Sequence, residues 1–121
     1  MAKFDLENRL ISFSVSIIEL SSEIPRSFTG MHLYKQITRS GTSVSLNYGE
    51  AQASESKRDF IHKMKIVLKE LRETYICLKI IIKSGLFKNN QRILSVSAEC
   101  NELISIFVKS LETVKKNQYL K

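Results

Sequence analysis

Apolar residues recur along this chain at spacings of three and four, a rhythm that predicts four helices. The first covers about Phe4 to Ser22, where Leu6, Leu10, Phe13, Ile17 and Leu20 form one buried stripe. Pro25 ends it, because the residue before a proline, here Ile24, is biased away from helical geometry. The second starts near Thr29, a residue type suited to capping, and its seam holds Tyr34, Ile37, Gly41, Val44, Tyr48 and Ala51. Gly41 costs roughly 1 kcal/mol of helix propensity against Ala. Its place in a seam predicts close packing by another backbone or a bulky side chain.

The third helix runs from about Ser56 to Ser84, with Ser54 or Ser56 as cap, Asp59 at the positive end of its dipole and Gly85 as its stop. Phe60, Met64, Val67, Leu71, Thr74, Leu78 and Ile81 form its seam. The fourth opens near Asn89 and uses Ile93, Val96, Cys100, Leu103, Phe107, Leu111 and Val114. The tail from Lys115 to Lys121 is expected to fray. Four amphipathic helices with short connections predict an all-α fold, an antiparallel up-down-up-down four-helix bundle spanning residues 1–121 as one domain.

Three faces fall outside this simple core. The first helix carries a second apolar stripe, Ile11, Val15 and Ile18, roughly 140° from the first. Single surface apolar residues are ordinary, but three in one row predict a subunit interface. On the third helix Ile61, Leu68, Tyr75 and Ile82 flank the seam every seven residues. Between Tyr75 and Ile82 that helix is apolar nearly all round, which predicts cover from other subunits, with Tyr75 and Ile82 joining the interface. On the second helix Ser40, Ser43, Asn47 and Glu50 make a polar ridge with Arg39 beside it. Ser and Asn are mediocre helix formers, so they predict a helix contact made by hydrogen bonds. Glu50 or Asn47 would pair with Arg39 or a neighbouring helix. The alternative is an exposed, indifferent face.

Charge changes the picture most. The 121 residues hold 19 bases and 12 acids, a net +7 and a pI near 9.5, a balance that suits an anionic partner such as nucleic acid. Residues 53–85 alone hold eight bases and four acids, a net +4. There Arg58, Lys65, Lys69, Arg72, Lys79 and Lys83 fall within an arc of about 80° and would span roughly 37 Å along the helix axis. Such a row can track a phosphate backbone. The plainer reading is a solvated face.

The ingredients for catalysis are poor. His32 and His62 lie on different helices without metal-pair spacing. No phosphate loop, nucleophile elbow or His-Glu-x-x-His pattern occurs. The Glu-x-x-His pairs of a di-iron bundle are missing, which makes Glu50 structural rather than a general base. Cys77 and Cys100, set among apolar residues without CxxC spacing, are expected to be reduced core thiols. No catalytic residue, metal or cofactor is expected. The acids near the start argue against a signal peptide, and the longest apolar run is too short for a membrane span, so a cytoplasmic location is expected.

The run Arg39-Ser40-Gly41-Thr42-Ser43-Val44-Ser45-Leu46-Asn47-Tyr48-Gly49-Glu50, followed by Asp59-Phe60, Lys63, Glu70-Leu71 and Glu73, resembles the signature of the small bundle proteins encoded in intervening sequences of bacterial 23S rRNA genes. Ile24-Pro25 also matches, and the likeness extends from Phe4 to about Leu111. The resemblance implies a four-helix bundle assembled as a ring-shaped homopentamer and linked to ribosomal RNA. That family is similar in fold to the accessory variability-determinant proteins of diversity-generating retroelements, basic pentamers that bind nucleic acid and a reverse transcriptase. It implies no reaction.

Residues and resemblance together predict a non-enzymatic nucleic-acid-binding scaffold, with RNA favoured over DNA. The ridge of the third helix would contact phosphates, helped by Arg39, Lys115 and Lys116. The alternative is a homo-oligomeric ring that docks a partner protein. An enzyme is the weakest of the three readings.

Overall fold

The computed structural model describes residues 5–87 and 90–119. Among these residues it contains four helices and no strand: α1 Leu6–Ser21, α2 Phe28–Gln52, α3 Lys57–Ser84 and α4 Gln91–Tyr119. Each begins where a side chain satisfies a backbone N–H that the helix leaves unbonded. Asp5 accepts from the N–H of Asn8 at 3.0 Å, Ser27 from Gly30 at 3.1 Å, Ser56 from Asp59 at 3.0 Å and Asn90 from Ile93 at 3.0 Å. The cap of α2 is therefore Ser27, and the expected Thr29 lies inside the first turn. Gly85 ends α3 in the left-handed region, φ 78°, as its sequence position predicts. Helical geometry in α4 continues to Tyr119, beyond Lys115 where fraying was expected. The expected starts at Phe4 and Asn89, and the tail residues Leu120 and Lys121, lie outside the described residues.

Each helix packs on its neighbours in sequence and α4 closes back onto α1, so the four form a bundle. Paired contacts rise on one helix as they fall on the next. Ser14 meets Gly41 and Ser45, while Ser21 meets Thr38. Glu50 meets Lys63, while Gln36 meets Glu73. The predicted seams supply the core: Leu10, Ile17, Ile37, Val44, Leu71, Leu78, Leu103 and Phe107 are fully enclosed. Tyr48 sets its ring edge-on to Phe107, with centroids 5.9 Å apart.

Gly41 answers the expectation placed on it. A Cβ there would stand 2.7 Å from Cγ2 of Ile17, a β-branched side chain with little room to yield. The close approach lets the Ser14 hydroxyl donate to the Gly41 carbonyl at 2.8 Å, with Ser45 Oγ 2.6 Å away.

One flank of α3 departs from expectation. Ile61 belongs to the core, and Leu68, Tyr75 and Ile82 are half-buried and packed against it. The bundle itself covers much of this row, because it borders the seam. The exposed apolar side chains of α3 are instead Ile76 and Ile80.

Candidate nucleic-acid interface

The α3 seam points inward, so residues half a turn away point to solvent. Arg58, Lys65, Lys69, Arg72, Lys79 and Lys83 are all exposed. None of the six makes an ion pair among the described residues. Lys79 Nζ rests 4.5 Å from the centroid of the Tyr75 ring, which orients it without neutralising it. Ile76 and Ile80 share this outer face with the bases, and His62 stands exposed at its edge.

Bases at the seams behave differently. Arg9 on α1 bonds Glu99 at 2.7 Å and Glu102 at 2.8 Å on α4. Arg92 on α4 meets Glu23 in the connection after α1. Lys63 Nζ lies 2.7 Å from Glu50 Oε1 across the α2–α3 seam. Arg39 spans the same seam to Glu70 at 3.3 Å and to Glu73, which also accepts from Gln36. These bonds hold the charged forms: Glu99 raises the pKa of Arg9, Glu73 that of Arg39 and Glu50 that of Lys63. Arg39, expected to help bind phosphate, is thus engaged by two carboxylates. The same pairing keeps Glu70 and Glu73 away from the ridge.

The polar row of α2 divides in three. Ser40 is fully buried and accepts a hydrogen bond from the Thr74 hydroxyl of α3 at 2.9 Å. Glu50 reaches Lys63. Ser43 and Asn47 turn back on their own helix, donating to the carbonyls of Arg39 at 2.7 Å and Ser43 at 2.9 Å. Among the described residues no buried side-chain nitrogen or oxygen lacks a partner.

The apolar stripe of α1 is open. Ile11, Val15 and Ile18 are 45%, 46% and 50% exposed. Phe60 and Met64 share a cleft with Lys109, Ser110, Thr113 and Val114, which sets the last turns of α4 beside the start of α3. Lys115 and Lys116 are exposed there, at the Arg58 end of the ridge.

Other chemistry is sparse. Both cysteines are buried and free. Burial, with a smaller contribution from Glu73 and Glu99 respectively, pushes the thiol of Cys77 up to about 11 and that of Cys100 up to about 12. Among the described residues no three His, Cys, Asp or Glu side chains converge on a metal-sized site. No described helix is long and apolar enough to cross a membrane.

Sequence reasoning missed two features. Ile76 and Ile80 are apolar positions on the basic arc, and the sequence pattern alone places them in an all-round apolar segment. A cleft of about 420 Å³ lined by Arg26, Ser27, Phe28, Met31, His32 and Lys35 was not anticipated. Its signal was the absence of any acid between Glu23 and Glu50.

The fold recurs in a known protein. A crystal structure of a protein of unknown function from the S23 ribosomal protein family of Bacteroides thetaiotaomicron VPI-5482 superposes with a TM-score of 0.81 at 28% identity, covering 88% of this chain and 98% of that one. No curated protein matches the chain. Residues 3–109 match the model of the 23S rRNA-intervening sequence protein family, and the chain belongs to that family.

Proposed function

We propose that this protein is a non-enzymatic, cytoplasmic scaffold that binds structured RNA through the outer face of α3. One observation carries the reading: six exposed bases share a face on which none has a carboxylate partner among the described residues, while the seam bases are paired. Phosphate contacts of this kind give affinity with little sequence selectivity. The family's tie to 23S rRNA intervening sequences favours RNA over DNA.

The contact order between successive helices supports an antiparallel up-down-up-down bundle. Ile11, Val15 and Ile18 form the face on which copies of the chain join, in a ring that the resemblance makes a pentamer. Tyr75 and Ile82, which pack on the subunit's own core, contribute only their outer edges. Light scattering at micromolar concentration should give five subunits, and Val15→Glu with Ile18→Glu should release smaller species. A wild-type monomer would remove the ring from the account.

The decisive variant is Lys65→Glu/Lys69→Glu/Arg72→Glu. It should abolish RNA binding and keep the helical content, whereas unchanged affinity would sink the assignment. A second reading, a ring that docks an acidic partner protein, is favoured by Ile76 and Ile80 on the ridge face. A protein partner would lose affinity when those two become Ser; an RNA held by phosphates would not.

A further inference from the structure

The cleft at the start of α2 is basic and aromatic. No acid occurs from Ile24 to Gly49, and Arg26, His32 and Lys35 line the cleft without an ion pair among the described residues. Phe28 is 94% exposed, far more than the exposed apolar residues of α1 and α3. It lines the same cleft as the three bases, at its open rim.

The walls are held in place. The Arg26 guanidinium carbon sits 4.0 Å from the centroid of the Tyr34 ring. Met31 N–H donates to the Ser27 carbonyl at 2.8 Å. A Cβ at Gly30 would come within 1.7 Å of the Pro25 carbonyl oxygen, so only glycine lets the connection fold so tightly onto the first turn. The Gln36–Glu73 and Ser40–Thr74 contacts put the start of α2 at the same end of the bundle as Lys79 and Lys83.

We infer that this cleft is a nucleotide subsite: an unpaired base stacks on Phe28 while Arg26, His32 and Lys35 hold the adjoining phosphates. Its volume of about 420 Å³ suits one small planar ligand. Every base has a π-face, so stacking accepts any sequence and adds to the phosphate contacts of the ridge. The subsite takes the single-stranded flank of an RNA whose paired stem lies on α3, and so it rests on the RNA reading above.

Two hairpins test it by fluorescence anisotropy, one blunt and one carrying a single-stranded tail of about five nucleotides. The tail should tighten binding to the wild-type protein roughly tenfold. Phe28→Ala should remove that gain and leave the blunt hairpin's affinity unchanged. The chain has no tryptophan, so Phe28→Trp installs a single reporter that should keep the gain and be quenched only by the tailed hairpin. Equal affinity for both hairpins, or a tail gain that survives Phe28→Ala, would overturn the subsite and leave the ridge standing. Failure of the wild-type protein to bind either hairpin would overturn the ridge and the subsite together. If the Phe28→Trp emission responds to phosphatidylserine vesicles and not to the tail, the cleft faces lipid and the proposal is lost.

Discussion

Lys63 and Lys65 sit two positions apart on α3, yet they belong to different parts of the molecule. Lys63 faces Glu50 across the α2–α3 seam. Lys65 faces solvent in a row of six bases that have no carboxylate partner among the described residues. The same division separates Arg39, Arg9 and Arg92 from Arg58 and Arg72. Where the carboxylate is buried, as Glu70 is behind Arg39, removing the base leaves a desolvated and uncompensated charge, whereas the half-exposed Arg92–Glu23 pair adds little. A solvated row of like charges adds only mild repulsion to the fold. Arg39 therefore reports on stability, and the ridge bases on the proposed partner.

That contrast can be broken from either side. The triple reversal on the ridge should cost at least about 100-fold in RNA affinity. It should move the unfolding free energy by no more than about 0.5 kcal/mol. Arg39→Met should do the opposite. The Glu70 side chain is only 10% exposed, so losing its guanidinium should cost about 2 kcal/mol in urea unfolding. RNA affinity should stay within about twofold, since Arg39 lies off the ridge. A large affinity loss in this variant would return Arg39 to the binding surface.

Packing offers a third lever, away from charge. Gly41→Ala gains helix propensity but drives a methyl into Ile17, and a net loss of about 1 kcal/mol is expected. In a double-mutant cycle with Ile17→Ala, which removes the Cγ1 and Cγ2 that the methyl would meet, Gly41→Ala should lose most of its cost. The smallest effect concerns the thiols. Unfolded cysteines ionise near 9.0, while burial holds the folded thiols to about 11 and about 12. Their contribution is complete below pH 9 and is lost as pH rises towards those folded values. The unfolding free energy in urea should therefore fall by about 0.7 kcal/mol in total between pH 8 and about pH 9, and by less in Cys77→Ala/Cys100→Ala.

Most of the bundle was legible because seam residues obey a period that depends only on helix geometry. Leu6 to Leu20, Ile37 to Ala51 and Ile93 to Leu111 all lie where their spacing places them. The helix stop at Gly85 and the close packing at Gly41 were legible for the same reason, since each follows from local backbone physics. What failed depends on neighbouring helices. Ile61 reads as a flank position on a wheel, but the bundle covers it. Arg39 reads as a helper of the ridge or a partner of Glu50 or Asn47, but it is Glu70 and Glu73 that reach it, from another helix. The ridge was visible in full, because six charges on one exposed face need no tertiary information to align. The cleft at Phe28 was not, since it forms only where the Pro25 connection folds back onto α2.

If the exposed row on α3 serves phosphates, binding must weaken steeply with salt. Anisotropy titrations of the purified protein against a structured 23S rRNA fragment, between about 50 and about 200 mM salt, would count the released counterions. Six phosphate contacts per subunit predict an affinity loss of roughly a thousandfold over that range, and a shallower slope in Lys69→Gln. Absence of binding at the lowest salt, or an affinity indifferent to salt, would contradict the account and leave the basic face to a protein partner.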